Sequence, residues 1–399
     1  MCSSDLGIGS NPSRAVTMGG ISYFSADDGQ QGKELWKSDG TTAGTVLVKD
    51  INPGFNGSDP SYLTAIGSAL YFVANNGSNG KELWKTDGTA AGTVLVKDIS
   101  PGVMDSKPAD LVAMGGTLYF SAEASPSNNE LWKSDGTAAG TVLVKEIKLG
   151  GAGSYPQNLT VVGATVYFAA GDGVTGYELW KSNGTAAGTE LVKDINPGAG
   201  DGNPRNFVAM GNTLYFTAND GTSGQELYKS DGTAATTVRV QDINPGAEGS
   251  FPQDLTVVGN TLYFSAFNAA GGAEMWKSDG LEAGTSMVKD IYPGIKGSDP
   301  RQFTATRGAL YFLANDGIHG HALWKTDGTA AGTVLVKDVS PGVGYDINDL
   351  VVIGNTLLMQ ASDGTGGFEL WKSDGTAAGT VQVLDLNAGA GNGFRYLMQ

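Results

Sequence analysis

The sequence predicts an all-β fold: an eight-bladed β-propeller with four antiparallel strands in each 48-residue repeat. The first observation behind this is a repeat. Glu-Leu-Trp-Lys stands at Glu34, Glu82, Glu130, Glu178 and Glu369, with Glu-Leu-Tyr-Lys at Glu226, Glu-Met-Trp-Lys at Glu274 and Ala-Leu-Trp-Lys at Ala322. The step is 48 residues six times and 47 once, and all seven tryptophans fall in this slot, with Tyr228 filling the eighth. A period of this size means a solenoid, a propeller or an array. The second observation is that each repeat holds four short apolar runs separated by turn residues, none with a sustained helical period. The third is that the second run lacks a polar face, as Leu70-Tyr71-Phe72-Val73-Ala74 shows. A sheet packed between two neighbours needs that composition.

Repeat 5 illustrates the strands, called A to D: Asn206 to Met210, Thr213 to Ala218, Glu226 to Ser230 and Val238 to Ile243. Gly211-Asn212, Asp231-Gly232 and Pro245-Gly246 separate them, supplying positive φ and fixed φ where tight reversals need them. Thirteen of the 14 prolines precede an A strand, where no ladder donor is lost. Tyr-Phe recurs in strand B seven times, from Tyr23-Phe24 to Tyr311-Phe312, with Leu358-Met359 in the eighth. These aromatics and the strand-C tryptophans are expected to pack between blades. Leu63, Leu111, Leu159, Phe207, Leu255, Phe303 and Leu350 open the A strands, which are expected to line the axis.

Residues 7–399 therefore read as one propeller domain, with a ninth A strand beginning at Leu397. Residues 1–6, Met-Cys-Ser-Ser-Asp-Leu, match the translation of a sequencing adaptor and are expected to be an artefact on an environmental gene fragment. On that expectation the single cysteine, Cys2, is not native and a signal peptide has been lost.

Hydrophobic residues make up 40% of the chain, enough for a sizeable core. Forty-one acidic against 25 basic side chains give a formal charge of -16, which opposes binding to phosphate backbones, so nucleic acid is excluded as a partner. No window approaches 18 consecutive apolar residues, so no membrane span is expected.

The string Glu-Leu-Trp-Lys-Ser-Asp-Gly-Thr-x-Ala-Gly-Thr, at Glu34 to Thr45 and again at Glu369 to Thr380, resembles the signature of the bacterial ELWxxDGT-repeat proteins over nearly the whole chain. That resemblance implies an exported or surface-associated protein built as a propeller, and implies no catalytic activity. The strand order is also similar to kelch propellers, and the Ser-Asp-Gly-Thr turn to the Asp-box of sialidase-type propellers.

Several residues invite chemical readings. The Asp-Gly-Thr aspartates (Asp39, Asp87, Asp135, Asp231, Asp279, Asp327 and Asp374) tolerate Asn183 in repeat 4, which favours a turn role over a calcium ligand. Glu34 with Lys49, or Glu82 with Lys97, reads as a solvated cross-strand pair. His319 and His321, expected on one side of the chain, fall short of a zinc site. The six arginines are scattered, which removes a sialidase-type carboxylate clamp. Ala170 to Trp180 fits the docking motif of quinone-dependent dehydrogenases, but across the B-to-C loop, out of register with the strand that carries it in those enzymes. No catalytic residue is assigned.

In a four-stranded propeller the D-to-A and B-to-C loops share one face, and here that face varies while the opposite one repeats. Candidate binding residues on it are Phe55, Asp59, Tyr155, Asp201, Arg205, Phe251, Asp299, Arg301 and Tyr345. Asp59, Asp105, Asp201, Glu248, Asp299 and Asp346 would form an acidic crown, the one place where calcium is conceivable; no other metal and no cofactor is expected. The functional expectation is a non-enzymatic binding or scaffold module, monomeric, extracellular or at a bacterial cell surface, holding a protein or glycan on the variable face. The alternatives are a polysaccharide-active hydrolase or lyase with its site at the channel mouth, or, further off, a quinone-dependent dehydrogenase.

Overall fold

The computed structural model describes residues 12–384 apart from 14, 307, 341–346 and 365–366. Residues 1–6, the start of a ninth A strand at Leu397, and Tyr345 and Asp346 lie outside the described residues. The fold is all-β and propeller-like: eight four-stranded antiparallel sheets, each with its strands in chain order A-B-C-D. In sheet 2 these are Ser61–Ile66, Ala69–Asn75, Lys81–Thr86 and Val94–Lys97. Among the described residues the only helix is a single 3-10 turn at Glu282–Gly284, and no helix is long and apolar enough to cross a membrane. The chain divides into two compact units, Met1–Asn203 with sheets 1 to 4 and Pro204–Leu397 with sheets 5 to 8.

Within each unit the A strands of successive sheets adjoin, and apolar side chains fill the space between sheets. Tyr71, Leu83, Val96 and Ile99 of sheet 2 pack against Leu118, Phe120, Ala122 and Trp132 of sheet 3. The strand-B Tyr thus faces the following sheet, while Phe and the strand-C Trp face the preceding one. Six tryptophans are 6 to 8% exposed, among them Trp84, Trp132 and Trp371, and Trp36 is half-buried.

The repeated polar groups tie sheet to sheet. Lys37 Nζ donates to Gly88 O (2.8 Å), and Lys85, Lys133, Lys229, Lys277 and Lys325 reach the matching turn glycine of the next sheet in their own units. The strand-D lysines do likewise: Lys49 Nζ donates to Thr93 O and Lys97 Nζ to Thr141 O. Lys97 also lies 5.8 Å from the centre of the Trp132 ring, a cation–π geometry. The turn that receives these bonds is closed by its aspartate, as Asp87 Oδ1 accepts Thr89 N–H (2.9 Å) and Thr89 Oγ1–H (2.7 Å). Gly88 has φ +91°, and a Cβ there would collide with the Tyr23 hydroxyl of the preceding sheet. Asn183 makes the same turn bonds to Thr185.

The solvated Glu–Lys pair expected from the sequence is not formed. Glu82 is fully buried and its carboxylate accepts Ile99 N–H (2.9 Å), Ser106 N–H (3.1 Å) and Ser106 Oγ–H (2.6 Å). The reason is register: strand D opposes Leu83 with Lys97 and Trp84 with Leu95, and the bulge between them leaves Glu82 facing the D-to-A loop. Matching cradles recur at Glu34, Glu130, Glu226 and Glu274. At Glu178 the loop residue is Gly202, whose N–H (2.7 Å) keeps the backbone bond without the serine hydroxyl.

Strand D of sheet 5 is shorter than expected, Val238–Arg239 only. Gln241 there replaces the lysine that elsewhere anchors this strand to the next sheet.

Trp132→Ala is expected to destabilise the protein by about 3 to 5 kcal/mol, read from chemical denaturation, because it empties a buried inter-sheet slot. Unchanged cooperative unfolding would show that the slot contributes no packing.

A pH dependence follows from the buried glutamates. Burial pushes Glu82 and Glu178 up to about 7 from 4.5, although their donors pull the other way. The folded carboxyls then hold a proton more tightly than the unfolded ones, so this stability is complete below 4.5 and lost as pH rises through about 7. The turn aspartates Asp39, Asp87, Asp135, Asp327 and Asp374 have the opposite sign. Their threonine hydroxyl and amide donors hold them below 3.8, so their contribution is lost as pH falls beneath that value. The thermal midpoint should peak at about pH 5 and decline toward about pH 8, with Glu82→Gln plus Glu178→Gln flattening the decline. A midpoint that climbs over that interval would reverse the assignment.

Candidate functional site

Glu34, Glu82, Glu130, Glu178, Glu226 and Glu274 each hold down the loop that leads to the next A strand, and most candidate residues sit where that loop ends. Ser58 and Asp59 N–H both bond Lys33 O (3.0 Å each), and Ser58 O accepts Asn75 N–H (2.9 Å). The residue between Ser or Gly and Pro is left-handed in six repeats: Asp59 (φ 52°), Lys107 (46°), Tyr155 (49°), Asn203 (45°), Phe251 (48°) and Asp299 (48°). Three residues on comes a second left-handed position, with Tyr62, Asp110, Asn158, Asn206, Asp254, Gln302 and Asp349. There the A strand shifts register against strand B, as between Ser61 and Thr64. Left-handed non-glycine residues cost about 1 to 3 kcal/mol each and persist only where surrounding bonds over-determine them. Here the Thr64 hydroxyl holds Tyr62 O (3.1 Å), and Thr160, Thr256 and Thr304 act alike.

In the first unit Phe55 is 84% exposed at a loop tip. Exposed Asp59 lies 3.9 Å from Lys81 Nζ. Tyr155, 39% exposed, donates its hydroxyl to Ser127 O (3.2 Å). Its carbonyl accepts the Tyr177 hydroxyl (2.5 Å), and Tyr177 N–H bonds Asp201 Oδ1 (2.8 Å), so Tyr155 and Asp201 are brought together through Tyr177. Burial, then the nearby Tyr155 and Asp201, pushes the Tyr177 phenol up. Neighbouring A strands are stitched by Asp110 Oδ2, which accepts Asn158 N–H (2.7 Å); burial pushes the Asp110 carboxyl up.

In the second unit Arg205 Nη2 bonds Gln225 Oε1, and Gln225 O accepts Phe251 N–H (3.0 Å), which gathers Arg205 with Phe251. Phe251 is 49% exposed. Asp299 Oδ2 lies 3.3 Å from His321 Nε2, and the His321 contact, with the charge of His321 and Arg301, holds the Asp299 carboxyl low against burial.

Several partners escaped the sequence reading. Lys81, Tyr177, Gln225 and His321 all open a C strand, the position of that strand whose residue type changes most from repeat to repeat, and that was the available signal. The two histidines do not share a side of the chain: Gly320 (φ 64°) turns it between them, so His319 Nδ1 meets Asp316 Oδ2 (2.7 Å) while buried His321 meets Asp299. Nor does the acidic crown stand free. Asp105 Oδ1 accepts Lys81 N–H (2.7 Å), and Asp59, Asp201 and Asp299 are engaged as described. Among the described residues no group of three or more His, Cys, Asp or Glu converges as a metal cage would. Asp172, in the quinoprotein-like segment, closes its own loop by accepting Val174 and Thr175 N–H.

Sheet 5 departs from the repeat at several positions. Tyr228, in the tryptophan slot, donates to Asp220 Oδ2 (3.3 Å), and Arg239 reaches Asp220 (3.8 Å) and Asp242 (3.3 Å). Although burial opposes it, the Ser223 and Thr222 donors hold Asp220 at about 2, so it stays ionised beside the guanidinium.

No family model matches the chain, and comparison with curated proteins yields no match. Among solved structures it is similar to the computationally designed Ika8 protein, with 14% identity over 92% of this chain and 97% of that one at a TM-score of 0.51. It is also similar to a prolyl endopeptidase (12% identity, 88% of this chain, 54% of that one, TM-score 0.49) and to puromycin hydrolase (14%, 83%, 55%, 0.44). The chain thus spans about half the length of those two peptidases. At 14% identity the likeness to the designed protein is one of fold.

Proposed function

We propose that this chain is a non-enzymatic propeller module of an exported or surface-associated bacterial protein, binding a protein or glycan through the face formed by its D-to-A and B-to-C loops. One observation carries the reading. The polar groups that repeat (the buried glutamate, the two lysines and the Asp-Gly-Thr turn) are consumed by contacts within and between sheets. The side chains that vary stand exposed on rigid, left-handed backbone at the starts of the A strands. Such positions present a surface without lending themselves to general acid–base work. No cofactor belongs to this reading.

A polysaccharide-active enzyme is the second reading, favoured by the departures from repetition in sheet 7, where His321 pairs with Asp299 and His319 with Asp316. One experiment separates the two. The purified chain is assayed by biolayer interferometry against bacterial envelope polysaccharides and extracellular-matrix proteins, with released reducing sugar measured in parallel. Tyr155→Ala, Arg205→Ala, Phe251→Ala and Asp299→Ala combined should weaken binding by about tenfold or more. Asp39→Asn, Asp87→Asn and Asp135→Asn, on the repeating face, should leave it unchanged. Sugar release abolished by His321→Ala would instead establish the enzyme.

A further inference from the structure

The starts of the A strands in sheets 2, 3 and 4 carry a row of aromatic, carboxylate and amide side chains. Tyr62 occupies the bulged position of sheet 2, Asp110 that of sheet 3 and Asn158 that of sheet 4, on three A strands that adjoin in this order. Tyr155 stands just ahead of the sheet 4 strand, so two tyrosines flank the strand that bears Asp110. Both rings are open to solvent, Tyr62 at 51% and Tyr155 at 39%.

The backbone of both tyrosines is held in place. Each has left-handed backbone pinned by hydrogen bonds: Tyr62 through Thr64, and Tyr155 through its N–H to Asn129 O (3.0 Å) and its hydroxyl to Ser127 O. Between them Asp110 is oriented by Asn158 N–H, and Asn158 and Gln157 expose their amides. Exposed aromatic faces on fixed backbone, interleaved with carboxylate and amide groups, suit a ligand with flat C–H faces and vicinal hydroxyls.

Charge narrows the class. The Lys107 and Lys81 ammoniums are tied to Glu123 (3.2 Å) and Asp59 (3.9 Å), and the Asp110 carboxyl stands within the row. An anionic sugar would meet net repulsion here.

We propose that the first unit binds a neutral oligosaccharide across the A-strand starts of sheets 2 to 4, stacked on Tyr62 and Tyr155 and hydrogen-bonded by Asp110, Gln157 and Asn158. This rests on the binding-module reading and names its ligand. The test is calorimetric titration of the full chain with cellohexaose, mannohexaose and the N-acetylglucosamine hexamer, with a galacturonate hexamer as the anionic comparison. At least one neutral hexamer should bind more tightly than the anionic one. Tyr62→Ala and Tyr155→Ala should each weaken it by about tenfold and Asp110→Asn by about threefold, while Tyr62→Phe and, on the repeating face, Asp39→Asn stay within about twofold. Thermal midpoints of the variants confirm folding. The proposal is overturned if no neutral hexamer binds, if the anionic one binds as well, or if the alanine variants bind as the parent does. A protein ligand still lost on substituting the variable face would in that case leave the wider reading standing.

Discussion

A buried carboxylate organises the repeat. The strand-C glutamate lies in an apolar setting where an unpaired charge would be costly, and it is tolerated because backbone and hydroxyl donors converge on it. Those donors come from the exit of strand D and from the loop 24 residues downstream, as with Glu82 and Ser106. One side chain therefore fixes both the end of its own sheet and the path to the next. Without that anchor the D-to-A loop would have no reason to return across the sheet, and the left-handed residues that follow would lose the bonds that impose their conformation.

The coupling between sheets has a direction. Two lysines and a tyrosine of one sheet reach forward to the turn of the next, and that turn is shaped by its own aspartate, serine and threonine to offer carbonyl oxygens and a glycine without a Cβ. The twelve-residue motif holds the receiving turn and one of the reaching lysines. A repeat that must satisfy its predecessor and its successor cannot vary at these positions, which is why the motif is repeated and why it is a poor place to look for ligand chemistry. The altered positions of sheet 5 are answered locally: Tyr228 and Arg239 replace the usual tryptophan and leucine, and both reach Asp220, an aspartate that other repeats also carry.

Repeat length, strand count, the buried tryptophan slot and the aspartate turn were legible in the sequence, because each depends on residues within a few positions of one another. The role of the glutamate was not. Strand pairing alone suggests lysine as its partner, whereas the bulge beside Trp84 and a serine far along the chain decide the matter. The left-handed residues were hidden for a different reason. Positive φ is ordinarily announced by glycine or asparagine, yet here Tyr62, Tyr155 and Phe251 adopt it. The available signal was the Ser-x-Pro frame: a kept serine and proline around a residue that can be acidic, basic or aromatic show that the backbone, not the side chain, is specified there.

That freedom links structure to function. Where the backbone is imposed from outside, by the glutamate below and the threonine beside, the side chain contributes little to folding and is released for recognition. Strain at such a position is supported once by each repeat and does not depend on what is displayed. The candidate residues are therefore joined by a shared mode of presentation, not by a catalytic geometry, and their chemistry differs between the two units: tyrosines with carboxylates and amides in the first, arginines with Phe251 and the His321–Asp299 pair in the second. A scaffold of this kind can change its ligand by exchanging one residue per sheet without touching the interactions that hold the sheets together.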